Sequence, residues 1–142
     1  MTEIGAAARR AWIAYLATAV VFLPCDAIWL AVTGPRIYRP ALGHLLAEQP
    51  DLRAAALFYA LYLVGIVAFA VRPAVRDDRP FAAAARGALF GLIAYATYDL
   101  TNQATLRGWP WALTAVDLIW GSALSAAAAL AARATLRLIS GK

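Results

Sequence analysis

The run AAALFYALYLVGIVAFAV, from Ala54 to Val71, carries no charged side chain in eighteen residues, and its reading decides the fold class. A helix rises 1.5 Å per residue, so the run reaches about 27 Å, close to the roughly 30 Å hydrocarbon core of a bilayer. A strand is a poor alternative, because the apolar residues do not alternate with polar ones. Three similar runs lie around it: Ala11 to Thr33, Gly87 to Leu106 and Pro110 to Ala132, each interrupted by one aspartate. The pattern predicts an all-α polytopic membrane protein, a four-transmembrane-helix bundle with spans at about 11–33, 54–71, 87–106 and 110–132 of a single membrane domain, 1–142.

Composition agrees. Hydrophobic residues make up 63% of the 142 and charged residues 15%, against about 45–50% and 25% in soluble domains. So few charges cannot cover the large surface of a small soluble monomer. A single cysteine excludes a disulfide framework and a cysteine-based metal site. The net charge of +5 does not suggest nucleic acid, because the basic residues flank apolar runs instead of forming a basic face. Arg9, Arg10, Arg72, Arg76, Arg79, Arg86, Arg133, Arg137 and Lys142 fall on one side; Arg36, Arg39, Arg53 and Arg107 fall on the other. The positive-inside rule then places both termini in the cytoplasm. The first span reads as uncleaved, since no small-residue cleavage site follows it.

The connections differ in character. Arg107 to Trp109 is tight, so spans three and four form a helical hairpin. Arg72 to Arg86, with Arg76-Asp77-Asp78-Arg79, Pro73 and Pro80, reads as a solvated loop. In Gly34 to Arg53, Leu42, Leu45 and Leu46 sit at helical spacing opposite His44 and Glu48, which predicts a short amphipathic helix on the outer surface. Trp12, Trp109 and Trp111 read as interfacial anchors. Tyr59 and Tyr62 read as packing, and Cys25 as a small buried apolar residue. Phe58, Tyr62, Gly65 and Phe69 form the candidate face for a partner subunit, and lipid contact explains that face equally well.

Chemistry is concentrated in three aspartates. Asp26 lies seven residues before the outer end of span one, Asp99 seven before that of span three, and Asp117 seven after that of span four. All three therefore fall about 10 Å below the outer surface. A charge near the bilayer centre costs about 2.5–3.5 kcal/mol on the insertion scale, so three at one depth should face one another or a cavity. Asp26-Ala27-Ile28-Trp29 recurs as Asp117-Leu118-Ile119-Trp120, and Asn102 holds the matching i+3 position after Asp99. Tyr95 and Tyr98 add hydroxyls on span three. Gly87 with Gly91, and Gly121 with Ser125, supply small-residue packing faces.

Several of these stretches together resemble one bacterial family: Asp26-Ala27-Ile28-Trp29-Leu30, Leu42-Gly43-His44-Leu45-Leu46, Gly87-Ala88-Leu89-Phe90-Gly91, Tyr98-Asp99-Leu100-Thr101-Asn102 and Val116-Asp117-Leu118-Ile119-Trp120-Gly121. It is the family of small predicted membrane proteins catalogued as domain of unknown function 2177. The resemblance covers roughly residues 11–132, implies four spans and a bacterial membrane location, and assigns no activity.

The residues favour an inner-membrane protein whose outward-facing acidic cluster binds, and transports or modifies, a small cationic or lipid-derived ligand. Asp26, Asp99, Asp117, Asn102, Trp29, Trp120 and Tyr98 are the candidate ligand-binding residues. No metal site is expected, and the sequence names no cofactor and no catalytic residue. The alternative is an accessory subunit of a larger membrane complex in which the aspartates form a structural polar network, with Arg36 or Arg107 as counter-ion. Enzyme, transporter, accessory subunit and homo-oligomer all remain open at this stage. The bilayer is the one partner the sequence requires.

Overall fold

The computed structural model describes residues 3–75, 77, 79 and 81–141. Of the residues singled out above, Arg76, Asp78, Pro80 and Lys142 lie outside the described residues. Four long helices make up the fold: α1 (Glu3–Thr33), α2 (Leu52–Gly65), α3 (Ala82–Thr105) and α4 (Trp111–Ile139). No strand occurs among the described residues. The chain is an all-α membrane protein. With their helical continuations, α1, α2 and α4 are each long and apolar enough to cross a bilayer. Helix α3 has the length, at 24 residues, but glycine, threonine, tyrosine and amide side chains dilute its apolar content.

Two helices change pitch. After Thr33 the chain runs through a π-helical turn, Gly34–Tyr38, into one further α turn, Arg39–Leu42. Pro35 and Pro40 lack the N–H groups that an α ladder needs, and the wider turn lets the Arg39 N–H reach the Gly34 carbonyl. Helix α2 does the same through Ile66–Val71 and ends at Arg72–Val75. The short helix expected around Leu42 to Leu46 is therefore one turn fused to α1, and it does not lie on the surface. Leu42 is buried against Trp109 and Leu113, while Leu45 and Leu46 remain exposed in the following turn.

Helices α3 and α4 pack most closely, as their short connection predicts. Gly108 takes a positive φ of 76° in that connection, a conformation glycine adopts without steric cost. Where the helices meet, a Cβ on Gly87 would lie 2.5 Å from the Ser125 carbonyl oxygen, and one on Gly91 2.1 Å from that of Gly121. Lipid tails are as apolar as leucine, so close backbone approach of this kind, more than hydrophobic burial, holds membrane helices together.

Burial in α2 is concentrated in its second half. No residue before Tyr62 is buried in it, whereas Tyr62, Leu63, Ile66, Val67, Ala70 and Val71 all are. Of the Phe58–Tyr62–Gly65–Phe69 face, Tyr62 and Gly65 are buried, whereas Phe58 and Phe69 stay exposed. A Cβ on Gly65 would meet the Phe90 ring at 2.4 Å, and Phe69 stacks on Phe90 with centroids 6.0 Å apart.

The end of the fold near both termini is tied by arginines. Arg133, only 4% exposed, donates from Nε to the Ala74 carbonyl at 3.0 Å, and from Nη2 to those of Asp77 at 2.7 Å and Arg79 at 2.9 Å. Arg137 also donates to the Asp77 carbonyl, at 3.0 Å. Carbonyls at a helix C-terminus have no partner within the helix, and these side chains supply donors. The α2–α3 connection, expected to be simply solvated, is thus bound to α4. Within it, the Arg79 guanidinium at 2.7 Å holds the Asp77 carboxyl well below the usual carboxylate range. Arg10 closes the same end by donating to Ser140 Oγ at 2.5 Å.

Candidate functional site

Asp26 is buried on α1 and accepts two hydrogen bonds from other helices. Tyr59 Oη of α2 donates at 2.6 Å, and Trp120 Nε1 of α4 donates at 3.0 Å. Trp120 stacks on Trp29, with centroids 4.2 Å apart and planes within 7°. Trp29 Nε1 donates to Tyr38 Oη at 3.2 Å, and Tyr38 in turn donates to Asp117. Tyr38 reaches that carboxylate because the π-helical turn carries it back over the hairpin. Asp26, Trp120, Trp29, Tyr38 and Asp117 thus form one continuous network of three hydrogen bonds and a ring stack.

Asp99 stands apart. It is fully buried on α3, and neither carboxylate oxygen has a hydrogen-bond partner among the described residues. The neighbouring Trp109 indole donates instead to Thr114 Oγ1 at 3.2 Å, within a small ring that includes Gln103. Asp117 lies close enough to interact electrostatically with both Asp99 and Asp26. No three acidic, histidine or cysteine side chains among the described residues converge closely enough to hold a metal ion. Neither Arg36 nor Arg107 forms an ion pair with the aspartates; both are exposed, and among the described residues the ion pair that forms is Arg79–Asp77.

A cavity of about 440 Å³ opens beside the network. Asp26 is its one ionisable acid, and aromatic side chains from all four helical segments wall it, with Trp29, Tyr38, Tyr59, Tyr62, Tyr98 and Trp120 among them. Phe58 and Tyr59, from the less buried first half of α2, form one of its walls. Of the candidate residues, Asp26, Trp29, Tyr98 and Trp120 line it; Asp99, Asp117 and Asn102 do not. No hydrogen bond joins Asn102 to any of the three aspartates among the described residues.

A family profile described as "Predicted membrane protein (DUF2177)" matches residues 11–134, nearly the whole chain. The chain belongs to the DUF2177 family. No curated protein and no solved structure matches it.

In this DUF2177 chain, sequence reasoning missed Tyr38 and Tyr59 as carboxylate donors. Nothing local marks them, since their partners are 79 and 33 residues away. Tyr62 was assigned to packing but also exchanges a hydrogen bond with Ser125 Oγ at 2.9 Å. Trp109, expected at the interface, is buried against Leu42 and Leu113, whereas Trp12 and Trp111 are exposed. Cys25, expected inside, is exposed on the outer face of α1.

Proposed function

We propose that this DUF2177 protein crosses the bacterial inner membrane four times, with both termini cytoplasmic, and that the aromatic cavity binds a small organic or lipid-derived cation from the outer side. The observation that carries this reading is the pairing of one buried carboxylate, Asp26, with a cavity walled almost wholly by aromatic rings. Ring faces attract cations by about 0.5–1 kcal/mol each when exposed and about 2 or more when desolvated. A carboxylate in the same low-dielectric space adds a charge that anions and neutral ligands cannot use. The volume lies within the about 300–1,000 Å³ usual for small-molecule sites. Asp117 extends the negative field from behind Tyr38.

Binding of tetrapropylammonium to the detergent-purified protein, followed by tryptophan fluorescence, tests the site. The wild-type chain should bind it, and Asp26→Asn should weaken binding about tenfold or more, because a charge-assisted contact is worth about 1.5–3 kcal/mol. Unchanged affinity in Asp26→Asn would remove the basis of the proposal.

Orientation is tested separately. With Cys25 replaced by serine, a membrane-impermeant thiol reagent added outside intact cells should label His44→Cys and spare Ile4→Cys, both exposed positions. The reverse pattern would invert the topology inferred from the arginine distribution.

A further inference from the structure

The geometry points to a second binding site on a different face of α2: a groove between α1 and α2 that seats one acyl chain of an anionic phospholipid, with the lipid phosphate held by Arg72 and Arg10. The groove encloses about 590 Å³ and is walled by Ala8, Ala11 and Tyr15 of α1 and by Leu57, Leu61 and Val64 of α2. Its wall on α2 runs from Leu57 to Arg72, fifteen residues and about 22 Å, and its wall on α1 from Ala8 to Tyr15, about 10 Å. One leaflet of a bilayer is about 15 Å of hydrocarbon, so the α2 wall is long enough to follow a chain from the interface past the midplane.

Its two ends differ in charge. The Leu57 end is apolar, whereas Arg72 closes the other, and a smaller cavity of about 170 Å³ beside it is lined by both Arg72 and Arg10. Among the described residues no acidic side chain lines either space. Arg10 commits one N–H group to Ser140, which leaves most of a five-donor fork, and the Arg72 residue is exposed. Two guanidiniums at the mouth of an apolar channel suit a phosphodiester with a hydrocarbon tail, since arginine pairs with phosphate oxygens in bidentate fashion. The inference rests on no feature of the aromatic cavity, so either site can fail without the other.

Native mass spectrometry of the full chain in detergent, with equimolar phosphatidylglycerol and phosphatidylcholine of identical acyl chains, tests it. Phosphatidylglycerol should be retained preferentially. The Arg10→Gln/Arg72→Gln double variant should lose that preference, with phosphatidylglycerol retention falling about tenfold and phosphatidylcholine unchanged. Ala60→Phe, which fills the groove and keeps both arginines, should reduce retention of both lipids. Three results would overturn the site: equal retention of the two lipids by the wild-type chain, undiminished phosphatidylglycerol on the double variant, or a lipid-free dimer. Inorganic phosphate binding as tightly as phosphatidylglycerol would overturn it as well, since the groove would then contribute nothing.

Discussion

Gly91→Ala is expected to lower the unfolding free energy by about 3 kcal/mol in a fixed detergent, the upper end of the usual cost of overpacking. The added methyl would lie 2.1 Å from the Gly121 carbonyl oxygen and 2.7 Å from the Ser125 hydroxyl oxygen. The first obstacle is backbone and cannot rotate away, so α3 and α4 must separate along the whole of their closest contact. Gly121→Ala meets the Tyr95 ring at 2.2 Å. That ring is a side chain and can yield, so the cost there should be smaller. Gly34→Ala meets nothing within 4 Å and serves as the control. Denaturation of the three variants should rank them in that order. An equal effect at positions 91 and 34 would show that the helices do not touch as described.

Asp99→Leu should stabilise the protein, by about 2 kcal/mol, whereas Asp117→Leu should destabilise it by a similar amount. The two residues fall at the same sequence-derived depth and differ in their partners. Burying a polar group without a hydrogen bond costs about 1–3 kcal/mol by mutational measures, and both Asp99 oxygens are in that position. Leucine has the same branched four-atom outline, and although its methyl groups are larger than the carboxylate oxygens, it removes the unpaired polar atoms. At position 117 the same change leaves the Tyr38 hydroxyl, which itself accepts from Trp29, without the carboxylate to which it donates. Thermal unfolding of the two variants in one detergent at neutral pH reads the difference. Shifts of the same sign would mean that the network is not what separates these carboxylates.

The helices were legible because apolar length is a property of consecutive residues: the run from Ala54 to Val71 and its three counterparts are visible without any tertiary information. The Gly87–Gly91 and Gly121–Ser125 faces were legible for the same reason, since i+4 spacing alone puts each pair on one stripe. That stripe, continued from Asp117 through Gly121, Ser125 and Ala129, reaches Arg133, and all five residues are buried. Extending the pattern by two steps would have found the arginine that binds the α2–α3 connection; counting it only as a topological charge hid it. The carboxylate donors were not legible. Tyr38 reaches Asp117 only because two prolines widen a turn, and Tyr59 reaches Asp26 across a helix pair. Equal depth along the sequence also said nothing about azimuth, which separates Asp99 from the network joining Asp26 to Asp117.

The stack of Trp29 on Trp120 has an electronic consequence. Two π systems lying face to face at 4.2 Å share their excitation, so neither indole absorbs or emits as an isolated ring. The coupling depends steeply on separation and on the angle between the rings, and each ring is borne by a different helix, α1 or α4. The ultraviolet absorption and circular dichroism of this pair are therefore an intrinsic ruler for the register of those two helices at the depth of Asp26. The ruler is built from two residues already present, and reading it requires no added chromophore.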